Sequence, residues 1–235
     1  MKALKAVVEQ RRSGVVIAPA GAGKSLVLRA LTSLLPPARY SCHYIKVTDL
    51  SPRDLWREIA FAVGAKPAGI FPALVRSIQE HFDSSFNDNG IRQVILVDEA
   101  HDLRPKALSL LKIMTNYDMD SRLVVSVVLA GQPSLKNMLY RPGMEEVRRR
   151  LAHCGELRLL SRDETKRYIE HRIHVAGGTK VPFDDAAIEA IFEMSRGNLG
   201  AIDQLAGKSL EIADKEKHQV VDSNDAVQAR NGLWM

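Results

Sequence analysis

The chain has 235 residues, of which 46% are hydrophobic and 26% are charged, a composition that excludes fibrous, collagen-like and disordered proteins. Its 33 lysines and arginines outnumber its 28 aspartates and glutamates, so the formal charge is +5. This mild excess of positive charge favours a polyanionic partner without establishing one.

The cysteines and the apolar stretches indicate the cellular compartment of the protein. Cys42 and Cys154 are the two cysteines and match no metal-ligand spacing, so we expect buried free thiols in a reducing compartment. The longest apolar stretches, such as residues 123–131, are much shorter than the ~20 residues that span a bilayer. No charged leader followed by an apolar segment opens the chain. We therefore expect a cytoplasmic protein without a membrane span.

The first part of the chain alternates between strand and helix patterns. Short uncharged runs rich in β-branched residues predict strands buried on both faces, at 15–18, 44–47, 94–97 and 124–129. Helical patterns lie between or beside them, at 25–35, from 51 onward, at 71–82 and at 105–116. Residues 84–90 are rich in Ser, Asn and Asp, as is typical of a loop. The alternation predicts an α/β fold with a parallel sheet flanked by helices.

The rest of the chain is predicted to be helical, because no strand pattern of comparable strength follows residue 155. Ser161 and Glu164 form the pattern of a capping box, which predicts a helix to residue 175. Further helices are predicted at 184–195, 199–217 and 222–229. We therefore predict an α/β core domain over residues 1–157 and a small all-helical domain over residues 158–235.

The strongest chemical signal is Ala18-Pro-Ala-Gly-Ala-Gly-Lys-Ser25, between a predicted strand and a predicted helix. Its glycines allow backbone N–H groups to surround phosphate oxygens at a helix N-terminus. Lys24 would bind the β and γ phosphates of ATP, and the Ser25 hydroxyl would bind Mg²⁺. Ala18 stands where the pattern usually has glycine, and an incidental Gly/Ala-rich turn is the alternative. The predicted nucleotide-binding residues are Pro19, Ala20, Gly21, Ala22, Gly23, Lys24, Ser25 and Leu26.

A second signal is the apolar run at 94–97 that ends at Asp98 and Glu99. Ligands lie at the carboxyl ends of strands in open α/β sheets, so Asp98 is predicted to hold Mg²⁺. Glu99 is predicted to polarise the water that attacks the γ-phosphate. A solvated acidic turn is the alternative. His101 is interpreted as a structural or solvated histidine and not as a metal ligand.

Two weaker candidates follow along the chain. Gln132 lies just beyond the strand predicted at 124–129 and could contact the γ-phosphate or the attacking water; a simple helix-start residue is its alternative. The run Arg148-Arg-Arg150 could offer an arginine to the nucleotide of a neighbouring subunit. A solvated or DNA-facing cluster explains these arginines nearly as well.

Taken together, these motifs resemble the AAA+ ATPases. The strand-loop-helix at 15–35, the Asp-Glu-Ala-His at 98–101 and the helical region after 155 carry the resemblance. More narrowly, the chain resembles the branch that contains the ExeA-type secretion ATPases and the transposition regulators MuB, TniB and TnsC. The Thr-Asn-Tyr-Asp-Met-Asp-Ser segment at 115–121 favours the transposition regulators.

The resemblance implies roles for particular residues. Gln132 would occupy the sensor-1 neighbourhood, and Arg150, with Arg149 as second choice, would be the arginine offered to the neighbouring subunit. The lid of the family usually carries a sensor-2 arginine in a Gly-x-Pro-Arg pattern, but this chain has Gly197-Asn-Leu-Gly200. Arg196 could substitute for it in part.

The resemblance also implies partners. It predicts an ATP hydrolase that binds ATP and Mg²⁺ between protomers, forms a homo-oligomeric ring or filament on duplex DNA, and serves a transposase or targeting protein. Arg53, Arg104 and Lys106 are candidate DNA contacts. Two alternatives remain open: a secretion-type ATPase, and an ATP-gated scaffold that hydrolyses little.

Overall fold

The computed structural model describes residues 1–115 and 124–233, without the side chains at 89, 110 and 114. Residues 116–121, most of the segment that favours the transposition regulators, lie outside this range. The chain falls into two compact units. Unit 1 comprises Met1–Ala20 and Lys24–Leu157, and unit 2 comprises Gly21–Gly23 and Arg158–Met235.

Unit 1 contains a five-stranded parallel sheet in the order β2-β3-β4-β1-β5. The strands are β1 Ser13–Ile17, β2 Tyr40–Lys46, β3 Arg92–Asp98, β4 Val125–Gly131 and β5 Leu151–Glu156. The central strands β1, β3 and β4 are almost entirely buried. The predicted parallel α/β sheet is confirmed, whereas the edge strand β5 was not predicted.

Both faces of the sheet are covered, as parallel sheets require. Val15, Ile17, Ile95 and Val97 belong to the larger hydrophobic cluster, and Val16, Val94, Leu96 and Val128 belong to a second one. Neighbouring residues of one strand thus alternate between two cores. Continuous apolar runs in the sequence follow from this arrangement.

The helices of unit 1 are α1 Lys2–Glu9, α2 Lys24–Leu34, α3 Pro52–Val63, α4 Phe71–Asn89, α5 Pro105–Met114, α6 Pro133–Leu139 and α7 Glu145–Arg150. A short 3₁₀ helix spans Ala100–Asp102. Ser51 caps α3 by accepting from the Asp54 amide at 3.2 Å. The loop predicted at 84–90 is wrong, because α4 continues to Asn89 and ends at Gly90, which has φ 65°.

Unit 2 consists of α8 Arg162–Val175, α9 Asp185–Ser195, α10 Leu199–Glu216 and α11 Ser223–Asn231. The predicted capping box is confirmed: the Ser161 hydroxyl accepts from the Glu164 amide, and the Glu164 carboxylate accepts from the Ser161 amide. The unit has its own core, which includes Ile188, Ile191 and Leu205. Among the described residues of the chain, no helix is both long and apolar enough to cross a membrane.

Candidate functional site

The predicted phosphate loop connects β1 to α2. Gly21 has φ +72° and Gly23 has φ +94°, a left-handed conformation that other residues rarely adopt. Ala18 is fully buried, is not among the described residues with positive φ, and donates its amide to the Gly131 carbonyl at 3.0 Å. Alanine therefore replaces the usual first glycine of the pattern without backbone strain.

Lys24 opens α2 and is only 5% exposed. Its Nζ donates to the Pro19 carbonyl at 3.4 Å and lies 4.0 Å from Glu99 Oε2. Both contacts are long for an ammonium group. A buried cation at the start of a helix, held by two long contacts, is suited to receive phosphate oxygens.

Asp98 ends β3 and is 1% exposed. Its Oδ2 accepts from Ser25 Oγ at 2.7 Å and from Tyr44 Oη at 2.9 Å. Its Oδ1 accepts from the Glu99 amide at 2.9 Å. Three donors therefore fix the orientation of this buried carboxylate.

Glu99 follows in a strained backbone conformation, with φ 53° and ψ 35°. Its side chain is 28% exposed, and Oε2 lies 3.3 Å from Nδ1 of His101. His101 Nε2 lies 3.5 Å from Asp102 Oδ1, and its side chain is 12% exposed. The sharp turn separates the two acids: Asp98 is enclosed, and Glu99 is partly open to solvent.

Sheet topology explains why these residues meet. β4 lies between β1 and β3, so the carboxyl ends of all three strands are neighbours at one edge of the sheet. Gln132 directly follows β4 and occupies the N-cap position of α6, but its side chain makes no capping hydrogen bond. Gln132 thus lies at the predicted edge of the sheet, and its side-chain amide does not cap α6.

The donor chemistry of this edge fits a magnesium nucleotide. The Ser25 and Asp98 oxygens lie 2.7 Å apart, and hydroxyl and carboxylate oxygens are ligands that Mg²⁺ prefers. Lys24 and the left-handed glycines supply positive charge and backbone freedom beside them. Of the predicted nucleotide-binding set, Pro19 contacts Lys24 through its carbonyl, Ala22 is buried, and Leu26 is 53% exposed.

The predicted arginines lie elsewhere in unit 1, in the last turn of α7. Arg149 is exposed. Arg150 is half-buried and lines a small cavity of about 20 Å³ with Ser13, Val127 and other residues, none of which belongs to the phosphate loop. A role toward a neighbouring subunit stays a prediction.

The stretch that replaces the sensor-2 pattern forms the turn between α9 and α10. Arg196 ends α9 in a left-handed conformation with φ 50°, and Asn198 caps α10 by accepting from the Ala201 amide at 3.1 Å. Gly197 has φ +77°, and a Cβ there would lie 1.9 Å from the Leu160 carbonyl oxygen. Local geometry therefore requires glycine at this position.

Two residues beside the carboxylates were not predicted as part of the site. His101 is interpreted from the sequence as a structural or solvated histidine, but in the structure its ring contacts Glu99. The sequence contains no signal for Tyr44 at the site, because its contact with Asp98 joins residues 54 positions apart. Partial desolvation of the hydroxyl, the hydrogen bond to Asp98 and the negative charges of Asp98 and Glu99 raise the pKa of Tyr44 to about 12. Its hydroxyl thus remains a donor at neutral pH.

Comparison with known proteins assigns the family. The model of the AAA domain family matches residues 7–139, more than half of the chain. General secretion pathway protein A of Aeromonas hydrophila is 30% identical over 213 residues, which cover 89% of this chain and 38% of that protein. The chain therefore spans well under half the length of this relative.

Solved structures share the fold at low sequence identity. The ORC2 protein of Aeropyrum pernix, in ADPNP-ADP complexes, has a TM-score of 0.74 and 13% identity over 98% of this chain and 66% of that chain. Cdc6p of Pyrobaculum aerophilum has a TM-score of 0.75 and 15% identity over 95% of this chain and 61% of that one. The RuvB Holliday junction branch migration motor of Thermotoga maritima has a TM-score of 0.67 and 18% identity, covering 99% and 65%. With the phosphate loop and the paired acids in place, the chain belongs to the AAA domain family of P-loop ATPases.

Proposed function

We propose that this chain hydrolyses ATP at the edge formed by β1, β3 and β4. The observation that carries the proposal is the pairing of Ser25 Oγ with Asp98 Oδ2 at 2.7 Å, next to a buried Lys24 and a partly exposed Glu99. The backbone of the loop and Lys24 would bind the phosphates. Ser25 and Asp98 would hold Mg²⁺, which supplies neutralisation of phosphate charge when bound.

Glu99 acts as the general base in this proposal. Its carboxylate takes a proton from the attacking water as the water oxygen bonds to the γ-phosphorus and the bond to the β–γ bridging oxygen breaks. Gln132 would orient that water from the end of β4. The neighbouring His101 and Lys24 would compete for the Glu99 carboxylate until phosphate engages Lys24.

Phosphate release from the purified chain tests this proposal. Glu99→Gln should lower turnover by about 10²- to 10⁴-fold, because the amide cannot accept the proton, and should leave nucleotide binding intact. Lys24→Ala should weaken binding itself. Glu193→Gln, the same change at an exposed position of α9, serves as the matched control. Wild-type turnover equal to that of Glu99→Gln, with ATP still bound, would replace the hydrolase proposal by the ATP-gated scaffold.

We also propose that the active form is a homo-oligomer in which Arg150, or Arg149, completes a neighbour's site. The resemblance to AAA+ ATPases and the run of arginines at the end of α7 support this. Mixing two inactive variants tests it. Lys24→Ala retains the arginines but should bind ATP weakly, and Arg150→Ala should bind ATP but lacks the arginine. A mixture that regains turnover supports the shared site; a mixture that stays inactive, for Arg149→Ala as well, contradicts it.

For the role that hydrolysis serves, we propose a secretion-associated ATPase, because the curated relative is General secretion pathway protein A.

A second candidate is ATP-dependent coating of duplex DNA in aid of a transposase or targeting protein. The charge of +5 favours it, together with the fold shared with an Aeropyrum pernix ORC1 protein in complex with DNA, at a TM-score of 0.73 and 17% identity. Arg53, Arg104 and Lys106 are exposed, but Arg53 contacts the Gly69 carbonyl and Arg104 lies 3.4 Å from Asp49.

Retention on non-specific duplex DNA separates the two roles. The measurement is made at several salt concentrations, with and without a slowly hydrolysed ATP analogue, because phosphate contacts weaken steeply as salt rises. Binding that requires the analogue and is lost in Lys24→Ala supports the DNA role. Absence of binding in both states supports the secretion role.

A further inference from the structure

An aromatic hydroxyl on the edge of the sheet reaches the most enclosed acid of the site. β2 pairs with β3 in parallel register, with Tyr44 opposite Leu96 and Lys46 opposite Asp98. Tyr44 Oη donates to Asp98 Oδ2 at 2.9 Å. The residue is nevertheless 52% exposed and lines an open cavity of about 400 Å³ beside Ser25 and Arg29. Core packing therefore does not account for a tyrosine here.

The hydrogen bonds of Asp98 come from three different parts of the fold. Ser25 donates from α2, the Glu99 amide donates from the turn after β3, and Tyr44 donates from β2. When the Ser25 hydroxyl is engaged by a ligand, Tyr44 is the remaining side chain that donates to Asp98 among the residues the structure describes. Tyr44 on Oδ2 and the Glu99 amide on Oδ1 then keep the carboxylate from rotating.

We propose that Tyr44 is a positioning residue that holds Asp98 in the orientation needed to bind Mg²⁺ together with the nucleotide. This inference rests on the proposed function, because it requires Asp98 to be a ligand of Mg²⁺. Groups that hydrogen-bond to metal ligands contribute roughly 10- to 100-fold to metal affinity. Because Tyr44 shares its acceptor oxygen with Ser25, the expected contribution is at the lower end, about tenfold.

The test measures how much Mg²⁺ strengthens nucleotide binding. The dissociation constant of a fluorescent ATP analogue is determined by anisotropy in excess Mg²⁺ and in EDTA, and the ratio of the two constants is compared between variants. Tyr44→Phe keeps the ring and should reduce the ratio about tenfold, while leaving binding in EDTA unchanged. Tyr168→Phe is the matched control, because Tyr168 also donates to a carboxylate, that of Asp203, at 3.0 Å in unit 2.

A double variant shows whether Tyr44 acts through Asp98. Asp98→Asn should abolish most of the Mg²⁺ dependence, and adding Tyr44→Phe should then have no further effect. Additive effects, or a ratio in Tyr44→Phe equal to that of the wild type, overturn the inference and leave the proposed function standing. A wild type whose binding is indifferent to Mg²⁺ overturns the proposed function and this inference with it.

Discussion

Thr165 in α8 offers a direct test of the energetics of unit 2. Its side chain is fully buried, and Oγ1 has no hydrogen-bond partner among the described residues. Burying a hydroxyl without a partner costs about 1–3 kcal/mol in proteins. Valine has nearly the same shape and helix propensity, and places a methyl group where the hydroxyl lies. Thr165→Val is therefore expected to raise the free energy of unfolding by about 1–2 kcal/mol.

Urea unfolding followed by far-UV circular dichroism measures this change. The midpoint should rise while the denaturant slope stays constant, since the exposed surface on unfolding is unaltered. Thr165→Ser is the control: it keeps the hydroxyl, removes the methyl group and should lower stability by about 1 kcal/mol. A Thr165→Val protein less stable than the wild type would refute the reasoning, because the hydroxyl would then have been making a favourable hydrogen bond.

Three further outcomes are expected. Gly131→Ala should destabilise unit 1 by about 1–3 kcal/mol in the same urea assay, because its Cβ would lie 2.7 Å from Leu135 Cδ2; an unchanged midpoint contradicts this. The pKa of Tyr44 is raised to about 12, so this tyrosine should stay protonated at pH 11. In a spectrophotometric titration at 295 nm, the wild type should therefore show one tyrosine that titrates above pH 11, and Tyr44→Phe should not show it. Hydrogen bonds from Arg158 and the Ser161 amide lower the pKa of Glu164 from 4.5 to about 2, so its stabilising contribution is present above pH 4.5 and is lost as pH falls toward 2. The difference in Tm between wild type and Glu164→Gln should shrink over that range, and a constant difference would show that the ion pair is not the cause.

The central strands could be predicted because burial on both faces leaves a strong sequence signal. Val94, Ile95, Leu96 and Val97 are all apolar, since alternate side chains enter two different cores. The edge strand β5 lacks this signal: its sequence is Leu-Ala-His-Cys-Gly-Glu, and its residues are half-buried or exposed. Pairing with β1 makes it a strand, and that pairing joins distant parts of the chain.

A capping pattern predicted the start of α8 because the pattern is local: Ser161 and Glu164 are three residues apart. The structure shows a second capping box, between Asp222 and Asp225 at the start of α11. Composition did not predict the end of α4, where Ser, Asn and Asp suggest a loop, because Phe86 in this stretch packs against the larger hydrophobic cluster and Gly90 ends the helix with φ 65°.

The candidate site likewise contains residues that a local motif predicts and contacts that depend on distant parts of the chain. Lys24 and Ser25 follow from a contiguous motif whose loop geometry is local. The hydrogen bond from Tyr44 to Asp98 depends on the register of two strands whose sequences contain no sign of it. The role proposed for the arginines of α7 requires a second subunit, and it stays a prediction.

The left-handed backbone at Glu99 lowers folding stability at the very residue that is proposed as the general base. A glutamate with φ 53° costs of order 1 kcal/mol relative to a relaxed backbone, and glycine adopts the same angle without that penalty. Glu99→Gly would therefore ease the turn and remove the proposed base in one step. A library of this protein selected only for heat resistance should accumulate glycine or asparagine at position 99, and only a simultaneous requirement for ATP turnover should retain the glutamate.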